Sequence, residues 1–490
     1  MPHPDSTTPI LPGFHPDPSI CRVDDDYFVI TSTFEYLPGV PIFHSRDLVR
    51  WRLIGNVLDR EDQLSLPSSE GSGGIFAPTL RFHDGRFWMI TTNINRVGEG
   101  HLIVSATDPA GPWTTPVYAT GAVGIDPDLF WDTDGTCYLT WASGRPGSPI
   151  SQAVVNPETG ELLSERTDVW GGTGLAHPEG PHLYRRGDWY YLLLAEGGTE
   201  RGHAVTVARS RSVRGPYEGD PANPILSHRS TSHPVQNTGH ADLVERADGS
   251  WAMVHLGVRP VGPSPSFHVN GRETFIAGVR WLDDWPVVDE TAFDVPKSHT
   301  DFDDDFSSPH LDSRWIAPGR HPHEFIEAAV DVGCVIRPSD STGHRSLLAI
   351  RVEDQEWDAR ATVDADGGRL VLRLDDSHWV AVGSQDGAIS VRMVVGPLDQ
   401  VLAGVPAPDA PKVTLAIRAT LPAAEPYGRV AAADDLTLGY VAEDEFRALA
   451  TVDGRYLSTE VAAGFTGRVI GVEPTGTTDA VLRRFSYRGL

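Results

Sequence analysis

One phrase recurs five times in the first half of the chain: a Pro- or Gly-marked turn, a short strand, a second turn and an aromatic-rich strand. The copies are PSICRVDDDYFVITST, PTLRFHDGRFWMITTN, PDLFWDTDGTCYLTWAS, GPHLYRRGDWYYLLLAEG and ADLVERADGSWAMVHLG. In four of them Asp-Gly or Gly-Asp stands where a tight hairpin turn belongs. A second phrase follows several copies (IFHSRDLVRW, IVSATDPAGPW, TVARSRSVRGPY) and reads as a strand and a loop ending in an aromatic. Helix signals are almost absent. Landmarks at the start of each copy, Asp17, Pro78, Asp126, Glu179 and His240, are spaced 61, 48, 53 and 61 residues apart. Five four-stranded units of that size predict a five-bladed β-propeller over residues 8–296. The innermost strand of each blade lines a central channel, so equivalent positions far apart in sequence converge on one axial pocket.

The stretch KSHTDFDDDFSSPHLDSRW reads as a polar, acidic linker and the entry to a second domain. Beyond it LVLRLDDSHWVAVG, AISVRMVV, KVTLAIRATL, LTLGYVAE and RVIGVEP alternate or run apolar between turns. Residues 302–490 are therefore expected to form a β-sandwich of two packed sheets, making the whole chain all-β.

Three landmarks are acidic: Asp17 in GFHPDPSICR, Asp126 in GIDPDLFWD and Glu179 in HPEGPHLY. Carboxylates at equivalent points of successive sheet units can share one pocket, which acid/base hydrolysis of a glycosidic bond requires. Each has a structural alternative. Asp17, between two prolines, is a natural turn cap, and Asp126 has the same alternative. Asp128 rivals Asp126 on the same strand face, and Glu196 in AEGG rivals Glu179. A formal charge of −27 argues against nucleic acid and anionic membranes and suits a neutral substrate. Cys21, Cys137 and Cys334 are too scattered for a disulfide framework or a zinc site. Without a basic-then-apolar leader or a long apolar run, the expectation is a cytoplasmic protein.

Taken together, GFHPDPSICR, STFEYLPGVPIFHSRDLVRW, GGIFAPTL, IDPDLFWD, EGPHLY, AEGGTERGH, GHADLV and GRETF resemble family 43 of the glycoside hydrolases, in its β-xylosidase and α-L-arabinofuranosidase branch. The resemblance spans about residues 9–290, and the C-terminal part resembles the concanavalin-like sandwich that often follows this propeller. It implies inverting, exo-acting hydrolysis of xylo- or arabino-oligosaccharides, with Asp17 as general base, Glu179 as general acid and Asp126 orienting that acid and holding its pKa high. His240 is implied at the channel, where relatives use an equivalent histidine to hydrogen-bond the site or approach calcium or water. No cofactor is required, and a Ca2+ near His240 is left open, although no dense Asp/Asn loop supplies its oxygens. Arg272 in GRET resembles the arginine that reaches sugar hydroxyls; its alternative is a surface salt bridge with Glu273. Phe34 and Phe76 match aromatic walls of the terminal sugar site, against an alternative of core packing. Many β-xylosidase relatives carry Trp where this chain has Phe76, which leaves xylose against arabinose open. The second domain is expected to pack over the propeller and close the pocket with a loop. An endo-acting arabinanase and a non-catalytic carbohydrate-binding propeller are the competing readings, and homo-oligomerisation is left open. A fructan hydrolase is disfavoured because its Asn-Asp-Pro motif is absent.

Overall fold

A computed structural model describes residues 7–66, 71–144, 150–329, 332–339, 345–422 and 432–490. Five separate antiparallel sheets follow one another along the first part of the chain. Their first strands are Ser19–Val23, Thr79–His83, Ile125–Trp131, Glu179–Arg186 and Gln236–Glu245. Each begins one of the five repeated phrases. The first, second, fourth and fifth sheets have four strands; the third has five, with Thr167–Trp170 added beside Ile150–Asn156.

The hairpins follow from local chemistry. At His83–Arg86 the two turn residues, Asp84 (φ 49°) and Gly85 (φ 73°), both adopt the left-handed region that a two-residue turn between twisted strands needs. Apolar faces of neighbouring sheets then pack on one another. Phe28, Ile30 and Ile42 of the first sheet meet Leu80, Phe87 and Met89 of the second. Tyr191, Leu193 and Val205 of the fourth meet Leu243 and Met253 of the fifth. Ile20 and Val29 meet Val244 and Val254, joining first to fifth.

The five first strands touch in a closed cycle, each against the next and the last against the first. Leu11 bridges Thr274 in the fifth sheet, so the N-terminal segment stitches the ring shut. Inside the ring, Arg81 spans Asp128 and Asp242, each at 2.8 Å. Asp242 also accepts from Ser19 Oγ at 2.6 Å, Ile20 N at 2.9 Å and the Tyr184 hydroxyl. Asp128 accepts from Leu183 N at 2.8 Å. One guanidinium thus ties the first strands of all five sheets together.

The C-terminal part is a sandwich of an eight-stranded and a six-stranded antiparallel sheet. Trp357, Leu372, Val380, Ile417, Leu438 and Phe485 fill the space between them. The acidic stretch, read as a linker and the entry to a second domain, runs into a strand at residue 302. Phe302–Asp304 is already a strand paired with Ala480–Gly489. Its residues alternate: Phe302 is buried against Trp315 and Phe485, while Asp303 faces out to Arg484 at 2.8 Å. Asp304, on the same face as Phe302, accepts from the indole of buried Trp315 at 2.8 Å.

The two parts share a buried interface. Tyr36–Leu37 pairs with Ala317–Pro318, and Phe14 and Tyr36 pack with Ile316, Val371, Trp379 and Val469. Arg373, almost fully buried, reaches from the sandwich to the Tyr36 hydroxyl and to Glu35 at 3.4 Å.

Candidate active site

Asp17 (φ 54°), Asp126 (φ 55°) and His240 (φ 46°) share a left-handed backbone that non-glycine residues rarely adopt, and Gly180 (φ 56°), beside Glu179, repeats it. In the third, fourth and fifth sheets these residues sit where the pairing register shifts: between Ile125 and Asp128, Glu179 and His182, and Gly239 and Asp242. A bulge of this kind bends the strand and re-aims a side chain. The repeated Pro- or Gly-marked turn is therefore the device that aims one group from each of the first, third, fourth and fifth sheets at the axis. Backbone strain of about 1–3 kcal/mol per residue is a usual cost of such conformations at working sites.

The side chains line one cavity of about 900 Å³. Asp126, Glu179 and His240 present polar atoms all within 4.8 Å of one another. Asp17 accepts from Ser32 Oγ at 2.6 Å and from Arg272 Nη1 at 3.0 Å, with His240 Nδ1 at 3.5 Å. Asp126 accepts from Gly180 N at 3.1 Å. The His240 ring lies directly over Gly180, where a Cβ would come within 2.9 Å of Nε2.

Burial separates the acids according to their partners. It pushes the Asp17 carboxyl up, but Arg272, His240 and Ser32 together outweigh it and hold Asp17 below the ordinary carboxylate value. Asp126 has no such cation in contact; burial, then Glu179 and Asp17, drives it well above the ordinary value. Glu179 is pushed up to about 7 by burial and by the Asp17 charge, against Arg272. Asp126 and Glu179 titrate as a pair that retains a proton near neutrality while Asp17 carries the negative charge. Burial lowers His240 to about 4, so its imidazole is neutral there.

An aromatic wall faces the acids. Phe34 stacks at 5.8 Å on Phe465, and Phe76 meets them edge-on at 5.5 and 6.0 Å. The Arg272 guanidinium lies 5.6 Å from the Phe34 ring centre and 5.5 Å from that of Phe465. Phe465 belongs to the sandwich: it follows the short helix Thr459–Ala462 on a loop that reaches into the cavity. The Phe465 N–H donates to Ser72 Oγ at 2.8 Å, and Glu460 pairs with His268 at 2.7 Å. Gly467 packs against Gly271 so closely that a Cβ on either would meet backbone within 2.8 Å.

All seven candidate residues thus meet at one cavity. Of the rivals, Asp128 is fully buried and held by Arg81 and Leu183 N deeper in the ring. Glu196 is fully buried, accepting from Thr173 N at 3.0 Å and Thr206 Oγ1 at 2.6 Å. Glu273 pairs with Arg259 at 2.6 Å rather than with Arg272. Sequence reasoning missed Phe465, Glu460, His268, His177 and Thr199, whose hydroxyl accepts from Arg272 at 2.9 Å. His177 stood within the quoted HPEGPHLY segment and its φ of 50° marks it as another strained site residue.

Calcium takes six to eight oxygen ligands. Asp126, Glu179 and His240 offer two carboxyls and an imidazole, and the space beneath holds the Arg81 guanidinium between Asp128 and Asp242. This donor set does not suit Ca2+.

Known families and relatives match the chain over most of its length. Residues 6–286 match the model of glycosyl hydrolases family 43, and residues 303–488 match the beta xylosidase C-terminal concanavalin A-like domain. The chain is 43% identical over 386 residues to a xylosidase/arabinosidase of Butyrivibrio fibrisolvens, covering 72% of this chain and 74% of that protein. It is 37% identical over 502 residues to a non-reducing end alpha-L-arabinofuranosidase of Bacteroides ovatus, covering 96% and 92%. The solved structure of a xylan beta-1,4-xylosidase from Bacillus halodurans superposes with a TM-score of 0.86 at 31% identity, over 98% of this chain and 99% of that one.

Proposed function

This chain belongs to family 43 of the glycoside hydrolases, and we propose that it is an inverting exo-glycosidase that removes terminal β-D-xylosyl or α-L-arabinofuranosyl units from short oligosaccharides. Two of its relatives carry both sugars, or arabinofuranose, in their names. We read the five meanders as five propeller blades spanning residues 8–296, and residues 302–490 as the sandwich domain.

One observation carries the mechanism: among the described residues, only Asp17 of the three carboxyls has an arginine in contact, which favours its ionised form, whereas burial favours the protonated form of Glu179. Asp17, ionised, takes a proton from water as that water attacks the anomeric carbon. Glu179, protonated, gives its proton to the departing oxygen. Burial and the Asp17 charge keep Glu179 protonated, rather than Asp126 as the resemblance implied. Asp126, accepting from Gly180 N beside Glu179, positions that acid. The attack and the departure occur on opposite faces of the sugar, so the anomeric configuration inverts. Arg272, with Nη1 between Asp17 and Thr199, suits a pair of sugar hydroxyls. Phe34, Phe76 and Phe465 supply apolar faces for a pentose ring. A loop of the second domain over the cavity favours single-sugar release over internal cleavage. No step passes through a metal.

Release of p-nitrophenol from the β-D-xylopyranoside and the α-L-arabinofuranoside, side by side, tests the reading, with Asp17→Ala as control. Turnover lost in the variant supports it, and the ratio of rates identifies the main sugar. No turnover of either glycoside by the wild-type protein contradicts it.

A further inference from the structure

Buried arginines in this protein come with their counter-charges. Arg81 has Asp128 and Asp242, Arg272 has Asp17, Arg373 has Glu35 and Arg468 has Asp434. Arg351 does not. It ends the strand Leu348–Arg351 in the sandwich and is only 7% exposed. Among the described residues no carboxylate lies within ion-pair distance of it. Its Nε donates to Phe14 O at 3.0 Å and its guanidinium lies 4.6 Å from the Phe14 ring centre. Its Nη2 has no hydrogen-bond partner among the described residues. The neighbouring acid, Glu353, is taken by Arg314 at 3.0 Å. Burial lowers Arg351 to about 10, so it remains a cation at neutral pH. Removing an ion from water without a counter-charge is costly.

Arg351 lines a cavity of about 180 Å³ where the N-terminal segment, the first sheet and the sandwich meet. Leu11, Pro41, Phe43, Trp51 and Leu53 form an apolar wall. His15, also buried there, is held neutral by burial and by Arg351 and Arg314. Among the lining residues the carboxylate is Glu353, which is paired with Arg314. The volume slightly exceeds the roughly 150 Å³ of an engineered apolar cavity that takes benzene.

We propose that this interdomain cavity is a second, non-catalytic site for a small carboxylate with a flat apolar body, its carboxylate paired with Arg351 and its ring against Phe43 and Trp51. A planar guanidinium matches a carboxylate through two parallel N–H donors. Such a ligand would supply the missing counter-charge and touch both domains at once, so it would stabilise the folded chain.

Thermal unfolding of the full-length protein in rising benzoate, with 19F NMR of 4-fluorobenzoate as a direct binding signal, tests this. The expected result is a saturable rise in Tm of about 3 °C, the scale for a ligand well above its Kd in a protein of this size. Acetate, phosphate and chloride at equal ionic strength should give smaller shifts. Arg351→Gln and Arg351→Met should abolish both the shift and the NMR broadening. If both variants fail to fold, Leu53→Trp, which narrows the half-exposed wall of the cavity, serves instead and should also abolish binding. No saturable shift, binding retained in the variants, or equal shifts from phosphate and chloride would each overturn the proposal.

Discussion

Arg272 donates to Asp17 at 3.0 Å, and no comparable cation touches Asp126 or Glu179 among the described residues. This contact, with the smaller contributions of His240 and Ser32, holds Asp17 below the ordinary carboxylate value while Asp126 and Glu179 are raised above it. Arg272 is the largest of the groups that oppose burial at Asp17. The proposed acid/base chemistry therefore depends strongly on where this guanidinium sits.

Arg272→Met should raise the Asp17 pKa and remove a sugar contact together. We expect kcat/KM to fall by about 10²-fold or more, the scale of losing a positioned acid–base group. The acidic limb of the pH profile should move to higher pH. Arg272→Lys should restore the limb while leaving KM raised, because one ammonium cannot span two hydroxyls. Steady-state kinetics across pH measures both.

The pH dependence has a definite sign. Glu179 must be protonated, so activity should fall as pH rises through about 7. Asp17 must be ionised and lies below the ordinary carboxylate value, so the acidic limb should sit below the usual carboxylate range unless unfolding intervenes. Asp126→Asn turns the coupled pair into a single site, and the basic limb should shift to lower pH. A kcat/KM profile of wild type and variant checks this.

Phe465→Ala removes the aromatic face that the sandwich lends to the pocket. Phe465 is 38% exposed, so stability should change little. Losing one stacking face should raise KM about tenfold, equivalent to about 1.4 kcal/mol, with kcat less affected. A larger loss in kcat than in KM would mean that the loop positions the acids rather than the sugar.

Arg81→Met would leave Asp128 and Asp242 buried at the centre of the ring without their cation. Breaking a buried pair from one side costs about 3–5 kcal/mol. Urea unfolding should show that loss in the first part of the chain. Asp128→Asn should cost less, because Arg81 keeps Asp242.

The repeated phrase was legible because hairpin turns and strand alternation are local. Asp84-Gly85 marks its turn within four residues, and the strained residues Asp17, Asp126 and His240 each announce themselves by the same turn signal. The depth of a residue along the channel was not legible. Alternation places Asp126 and Asp128 on one face but does not say that Arg81, from a unit without an acidic landmark, claims the second. Phe465 gave no signal at all. Its partners Phe34 and Phe76 lie on the other domain, and nothing local marks a turn aromatic in LSTEVAAGF as part of a pocket. Arg272 was readable from its motif, whereas Arg351, equally buried, had no motif to flag it.

The central claim is that Glu179 donates the proton and Asp17 activates the water. Comparing Glu179→Ala and Asp17→Ala on xylobiose and on 2,4-dinitrophenyl β-D-xyloside, or on the corresponding arabinosides if those are preferred, tests it most directly. An activated leaving group departs without protonation. Glu179→Ala should therefore lose the natural linkage almost entirely while keeping substantial activity on the dinitrophenyl glycoside, and Asp17→Ala should lose both. Equal losses on both substrates in Glu179→Ala would contradict the assignment.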